Sequence, residues 1–124
     1  MLRTSNAGPP AKPDIQRAVD KLLKDDTNFD RNENRSAHRE NLVRAVDIEI
    51  RDPQATISAF SRNISATGIG VITKESLVGN PVAVLTIAGL GEKDDVTILA
   101  ECRWCRAYGK EWFISGWQFI NLKR

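Results

Sequence analysis

Two short segments carry residue types suited to holding an anionic, aromatic ligand. Arg35-Ser36-Ala37-His38-Arg39 sets two guanidinium groups four residues apart in a polar stretch. A guanidinium is a planar fork of donors. It meets a phosphate through two parallel hydrogen bonds. It also pairs with O6 and N7 of guanine and stacks on a base face. Asn63-Ile64-Ser65-Ala66-Thr67-Gly68 offers an amide, a hydroxyl and a glycine in close succession. Gly68 permits a positive φ and a close approach of ligand to backbone. Taken singly, the first segment is a solvated basic loop and the second an ordinary Asn/Ser/Gly turn. The information lies in their order along the chain.

Other chemistries find less support. His38 is the only histidine, and no serine or cysteine nucleophile is evidently held beside it. The carboxylates are scattered, so nothing asks for an enzyme. Cys102 and Cys105 stand three apart in an expected strand. Such residues face opposite sides, which argues for two reduced thiols rather than a disulfide. A zinc site would need two more ligands, and no metal spacing is complete. The formal net charge is +2 and the pI about 8.7. That balance is too mild to point to nucleic acid.

The elements that must position the two segments follow from periodicity. Residues 1–13 are rich in Pro, Gly, Ser and Asn and read as a disordered N-terminus. Ile15, Ala18, Val19, Leu22 and Leu23 form one helical stripe, predicting an amphipathic helix over 14–25 with Asp14 as N-cap. Residues 26–41 are almost wholly polar and read as a linker carrying the two arginines. After Leu42 the period becomes two. Strands are expected over 42–51, 56–63, 68–73, 81–88, 96–106 and from about 111 to 121, with Asp52-Pro53 as a turn. Together, residues 42–124 suggest a small antiparallel barrel or sandwich. Phe60, Trp104, Tyr108, Trp112, Phe113, Trp117 and Phe119 mostly fall in strands, where core packing is their expected use. The first residues lack the apolar run of a signal peptide, and no stretch is long and apolar enough to span a membrane. A cytoplasmic location is therefore expected.

An RxxxR loop before a first strand, a hairpin, and NxSxxG closing it resemble the bacterial PilZ domain family, whose pattern is RxxxR followed by (D/N)xSxxG. Arg103-Trp104-Cys105-Arg106 and Trp112-Phe113-Ile114-Ser115-Gly116-Trp117-Gln118-Phe119 look like that family's last two strands. The resemblance covers about residues 30–122. It implies an all-β fold, a six-stranded antiparallel β-barrel, preceded here by the short helix. It also implies a receptor for the second messenger cyclic di-GMP, with no cofactor. By the resemblance, Arg35 and Arg39 grip phosphates and guanines, Asn63 and Ser65 hold a guanine, and Gly68 is the glycine of the turn. Arg31 opens a second RxxxR register with Arg35. Arg35/Arg39 is preferred, because Arg39 lies nearer the first strand. Arg31 or Arg62 could add a phosphate contact, and Arg44 is a weaker candidate. Position 63 is Asn rather than Asp, a weaker acceptor for a guanine edge. The expected action is ordering of the N-terminal segment on binding, which signals to a protein partner that the sequence does not identify. The alternative is a PilZ-like adaptor that works through protein contacts without nucleotide. A barrel that binds single-stranded nucleic acid would need exposed aromatic platforms, and neither nucleic acid nor membrane insertion is expected.

Overall fold

The computed structural model describes residues 11–29, 40–51 and 54–123. Helix α1 spans Pro13–Phe29 and is followed by strands β1 (Glu40–Asn41), β2 (Ala45–Arg51), β3 (Gln54–Ile64), β4 (Gly68–Thr73), β5 (Val82–Ile87), β6 (Val96–Ala107) and β7 (Phe113–Leu122). The six long strands pair in the order β3-β2-β5-β6-β7-β4, every pair is antiparallel, and β4 pairs back onto β3. The sheet therefore closes into a six-stranded barrel without free edges. The two-residue β1 is an appendage on β3.

Period-two alternation fills the interior. Val46, Ile48 and Ile50 of β2 point inward with Leu85 and Ile87 of β5, Ile98 and Ala100 of β6, Val71 of β4 and Trp117 and Phe119 of β7. Ile15, Val19 and Leu22 of α1 join the same cluster, so the helical stripe closes off the core. Each such large aliphatic side chain contributes about 1.5–3 kcal/mol by leaving water.

The ends of α1 differ from the expected ones. Pro13 rather than Asp14 opens the helix, and the Lys12 carbonyl accepts the first bond, from Gln16 N at 2.8 Å. Proline suits that position because its missing N–H would have no partner there. Asp14 lies in the first turn, where its charge favours the helix dipole. At the other end, α1 runs on to Phe29, four residues into the expected linker. Ion pairs lie at the start of this extension, where the apolar stripe has stopped. Asp25 pairs with Lys21 at 3.4 Å and Lys93 at 3.9 Å, and Asp26 with Arg44 at 3.6 Å. Residues 1–10 and 30–39 and the Asp52-Pro53 turn lie outside the described residues.

Leu42–Arg44 was expected as strand but is an irregular link between β1 and β2. Ser61 accounts for it. Its buried Oγ accepts from Arg44 N at 2.9 Å and donates to the Leu42 carbonyl at 2.5 Å. The Arg44 side chain is only 4% exposed. It donates to the Ala88 carbonyl at 3.0 Å and to the Leu22 carbonyl of α1 at 3.2 Å. A guanidinium taken out of water is costly unless it is paired. Here its partners are the last turns of α1, so Arg44 is a tie between helix and barrel. Arg44→Met should lower stability by about 3 kcal/mol and raise amide exchange across 13–29. Urea denaturation and hydrogen exchange measure both. Unchanged exchange in α1 would show that the stripe alone holds the helix.

Candidate functional site

A cleft of about 280 Å³ lies on the outer wall of the barrel where β3, β4, β6 and β7 run side by side. Its lining includes Asn63, Ser65 and Gly68, the three residues of the NxSxxG segment, together with Arg62. Among its other side chains are Arg103, Trp104 and Gln118, which sequence reasoning did not find as site residues.

Two breaks in strand register build this lining. On β3, Ser61 pairs with Val71 and Asn63 with Gly70, so Arg62 is the extra residue. Ser61 points inward and Ile64 is buried. Without the bulge Asn63 would face the core; with it, Arg62 and Asn63 both stand on the outer wall. On β6, Cys102 pairs with Trp117 and Trp104 with Gly116, leaving Arg103 as the extra residue. Arg103 and Trp104 are accordingly both exposed. Each bulge thus presents an arginine and its C-terminal neighbour to the cleft from opposite sides.

The same β6 bulge corrects the expectation for the cysteines. Cys102 and Cys105 pair with the inward residues Trp117 and Ser115, so they share a face although they stand three apart. Both are free. Burial, and secondarily the neighbouring Cys105, pushes the Cys102 thiol up to about 11, so it stays protonated and unreactive near neutral pH.

Glycines make the floor flat. The Asn63 side chain lies over Gly70, where a Cβ would stand 2.7 Å from Asn63 Oδ1. The Trp104 indole lies against Gly116, in the space a Cβ there would need. Arg106 covers the Trp104 ring at 4.7 Å. Gly68 was expected to supply a positive φ; among the described residues, only Gly79, Asn80, Gly91 and Gly109 have one. Its role is room: a Cβ would meet the Trp117 carbonyl oxygen at 2.5 Å. The Ser65–Gly68 turn is held by Ser65 N donating to the Gly68 carbonyl at 2.9 Å and Thr67 N to Ser65 Oγ at 3.3 Å. Arg103 is held by Gln118 Oε1 at 3.0 Å and Glu101 at 3.5 Å.

The remaining sequence candidates fall elsewhere. Arg44 belongs to the helix tie and does not line the cleft. Arg31, Arg35 and Arg39 lie outside the described residues. Arg39 is nonetheless bonded to Glu40, and β1 sets Glu40 beside Ile64 and Asn41 beside Asn63. Glu40, the residue after Arg39 in the sequence, thus lies beside the strand that carries Asn63.

The sequence profile of the PilZ domain matches residues 33–124. The chain belongs to the PilZ domain family. PilZ domains are receptor and adaptor modules associated with cyclic di-GMP. Among solved structures, the inhibitor of motility of Bacillus subtilis (MotI/DgrA) is similar, with a TM-score of 0.57 and 23% identity over 74% of this chain and 45% of that one. That likeness is one of fold, and this PilZ chain spans less than half of the MotI chain. None of the curated proteins compared with the chain matches it.

Two glycine substitutions separate floor from frame. Gly68→Ala meets backbone in the β4–β7 ladder and should cost about 1–3 kcal/mol. Gly116→Ala meets only the half-exposed Trp104 ring, which can swing away. It should shift tryptophan emission while leaving the urea midpoint almost unchanged. Equal losses of stability in the two variants would contradict this division.

Proposed function

We propose that this PilZ domain is a receptor for cyclic di-GMP that signals to a protein partner by rearranging its N-terminal segment. The observation that carries the reading is the gathering of Asn63, Ser65 and Gly68 in one glycine-floored cleft, with Arg62 and Arg103 at its sides. A flat floor admits a planar base. Trp104 offers an aromatic edge or face beside it. The Asn63 amide can both accept from and donate to a guanine edge, and Ser65 adds a hydroxyl. In this reading Arg62 and Arg103 would contribute phosphate contacts. Arg35 and Arg39 supply the remaining grip in this reading, because their segment leads directly into β1 beside Asn63. Pinning that segment would act on α1, which precedes it in the chain. The reaction is binding alone, with no bond made or broken.

Guanine should be selected over adenine, because adenine replaces the O6 acceptor with an amino donor facing the arginine fork. Calorimetric titration should show saturable binding of cyclic di-GMP and at least about tenfold weaker binding of cyclic di-AMP, a difference of about 1.4 kcal/mol. Arg35→Ala and Arg39→Ala should each abolish binding without lowering the melting temperature. Each lost charge-assisted hydrogen bond is worth about 1.5–3 kcal/mol. Amide protection across 30–41 should rise on binding, and less strongly in α1. Equal affinity for the two dinucleotides would remove guanine recognition. No binding heat in the intact chain would leave the adaptor that works without nucleotide.

A further inference from the structure

Beside the cleft, the barrel wall carries a cluster of rings that were expected in the core. Phe60, Tyr108 and Trp112 are 52%, 42% and 37% exposed. Together with Ile72 they line an open hollow of about 270 Å³. Phe60 and Ile72 are direct cross-strand partners on β3 and β4. Tyr108 N donates to the Trp112 carbonyl at 2.8 Å, which closes the β6–β7 hairpin and holds both rings at its base. Gly109, at φ 85°, makes the turn between them. Single exposed apolar residues are ordinary on a protein surface, but a contiguous cluster with a charged rim marks an interaction site.

We propose that this hollow docks one large apolar side chain of a partner protein, on a segment that carries acidic residues beside that anchor. The rim supplies the charge argument. The Arg62 guanidinium lies 5.6 Å from the centre of the Tyr108 ring, and Lys74 Nζ lies 5.2 Å from that of Trp112. Both charged groups stacked on these rings are cations. Lys110 adds a third positive charge in the hairpin turn, beside Glu111 of the same turn, and Glu75 follows Lys74, so three cations stand against two carboxylates here. An anchor in an aromatic hollow, ringed by complementary charge, is the arrangement of a binding hot spot. The lining of Phe60, Ile72, Tyr108 and Trp112 offers few of the convergent polar groups that orient a small molecule. Nucleic acid fits less well, because the cations occupy ring faces on which bases would stack. The patch is also continuous with the cleft: Arg62 lines the cleft and covers Tyr108. The docking claim does not depend on which nucleotide the cleft takes.

Selection from displayed random peptides of about a dozen residues, with the full chain as bait and the Trp112→Ala chain as counter-bait, tests it. Enriched peptides should carry a large apolar residue next to Asp or Glu. In calorimetric titration they should bind at least about tenfold more weakly to Trp112→Ala, Phe60→Ser and Lys74→Glu, all with unchanged melting temperatures. Phe60 is the most exposed of the rings, so its variant keeps the test valid if Trp112→Ala folds poorly. No enrichment over the counter-bait would overturn the proposal, as would enrichment of basic or uncharged peptides. So would an oligothymidylate that binds the intact chain and is lost with Trp112→Ala, or self-association of the chain that the same substitution abolishes.

Discussion

In a closed antiparallel barrel, outward and inward side chains alternate without relief. A cleft on the wall can gather consecutive side chains only where that alternation breaks. Around the cleft it breaks twice, at Arg62 on β3 and at Arg103 on β6; a third shift, between Leu99 and Ala100, lies further along β6. Each of the two breaks at the cleft turns an arginine and the next residue outward together. Between them, Gly70 leaves room for the Asn63 side chain and Gly116 for the Trp104 ring, while Gly68 lets β4 approach the β7 backbone. The cleft is thus a property of strand register, and closure of β4 onto β3 holds that register in place.

The same region reaches the helix through one hydroxyl. Ser61 sits at the edge of the β3 bulge and bonds both Leu42 and Arg44. Arg44 in turn holds the Leu22 carbonyl and Asp26 of α1. The β3 bulge and α1 are therefore joined by a short chain of hydrogen bonds through Ser61 and Arg44.

Most of the barrel was legible from period two alone, because a closed sheet buries one face of every strand. Gly68–Thr73 has the bounds expected of it. The NxSxxG residues were legible as a motif, and the structure brings them into one cleft. Arg103 and Trp104 were not, since a bulge leaves no mark on hydrophobic alternation. The same bulge sets Cys102 and Cys105 on one face, against the expectation from plain strand geometry. Phe60, Tyr108 and Trp112 read as core because aromatic residues in strands usually pack inward, whereas outward-facing register and the hairpin base expose them here. Arg44 read as a weak ligand candidate. Its burial depends on a helix packed across the chain, which local sequence does not show.

The central claim is that the glycine-floored cleft is where the nucleotide sits. Amide and indole chemical shifts of the labelled full chain, followed during titration with cyclic di-GMP, test it most directly. The account predicts saturable shifts at Asn63, Ser65, Gly68, Gly70, Gly116 and the Trp104 indole. Glu49, Val84 and Lys123, which line a separate groove, should stay still. Shifts centred on that groove, with the cleft residues unmoved, would contradict it.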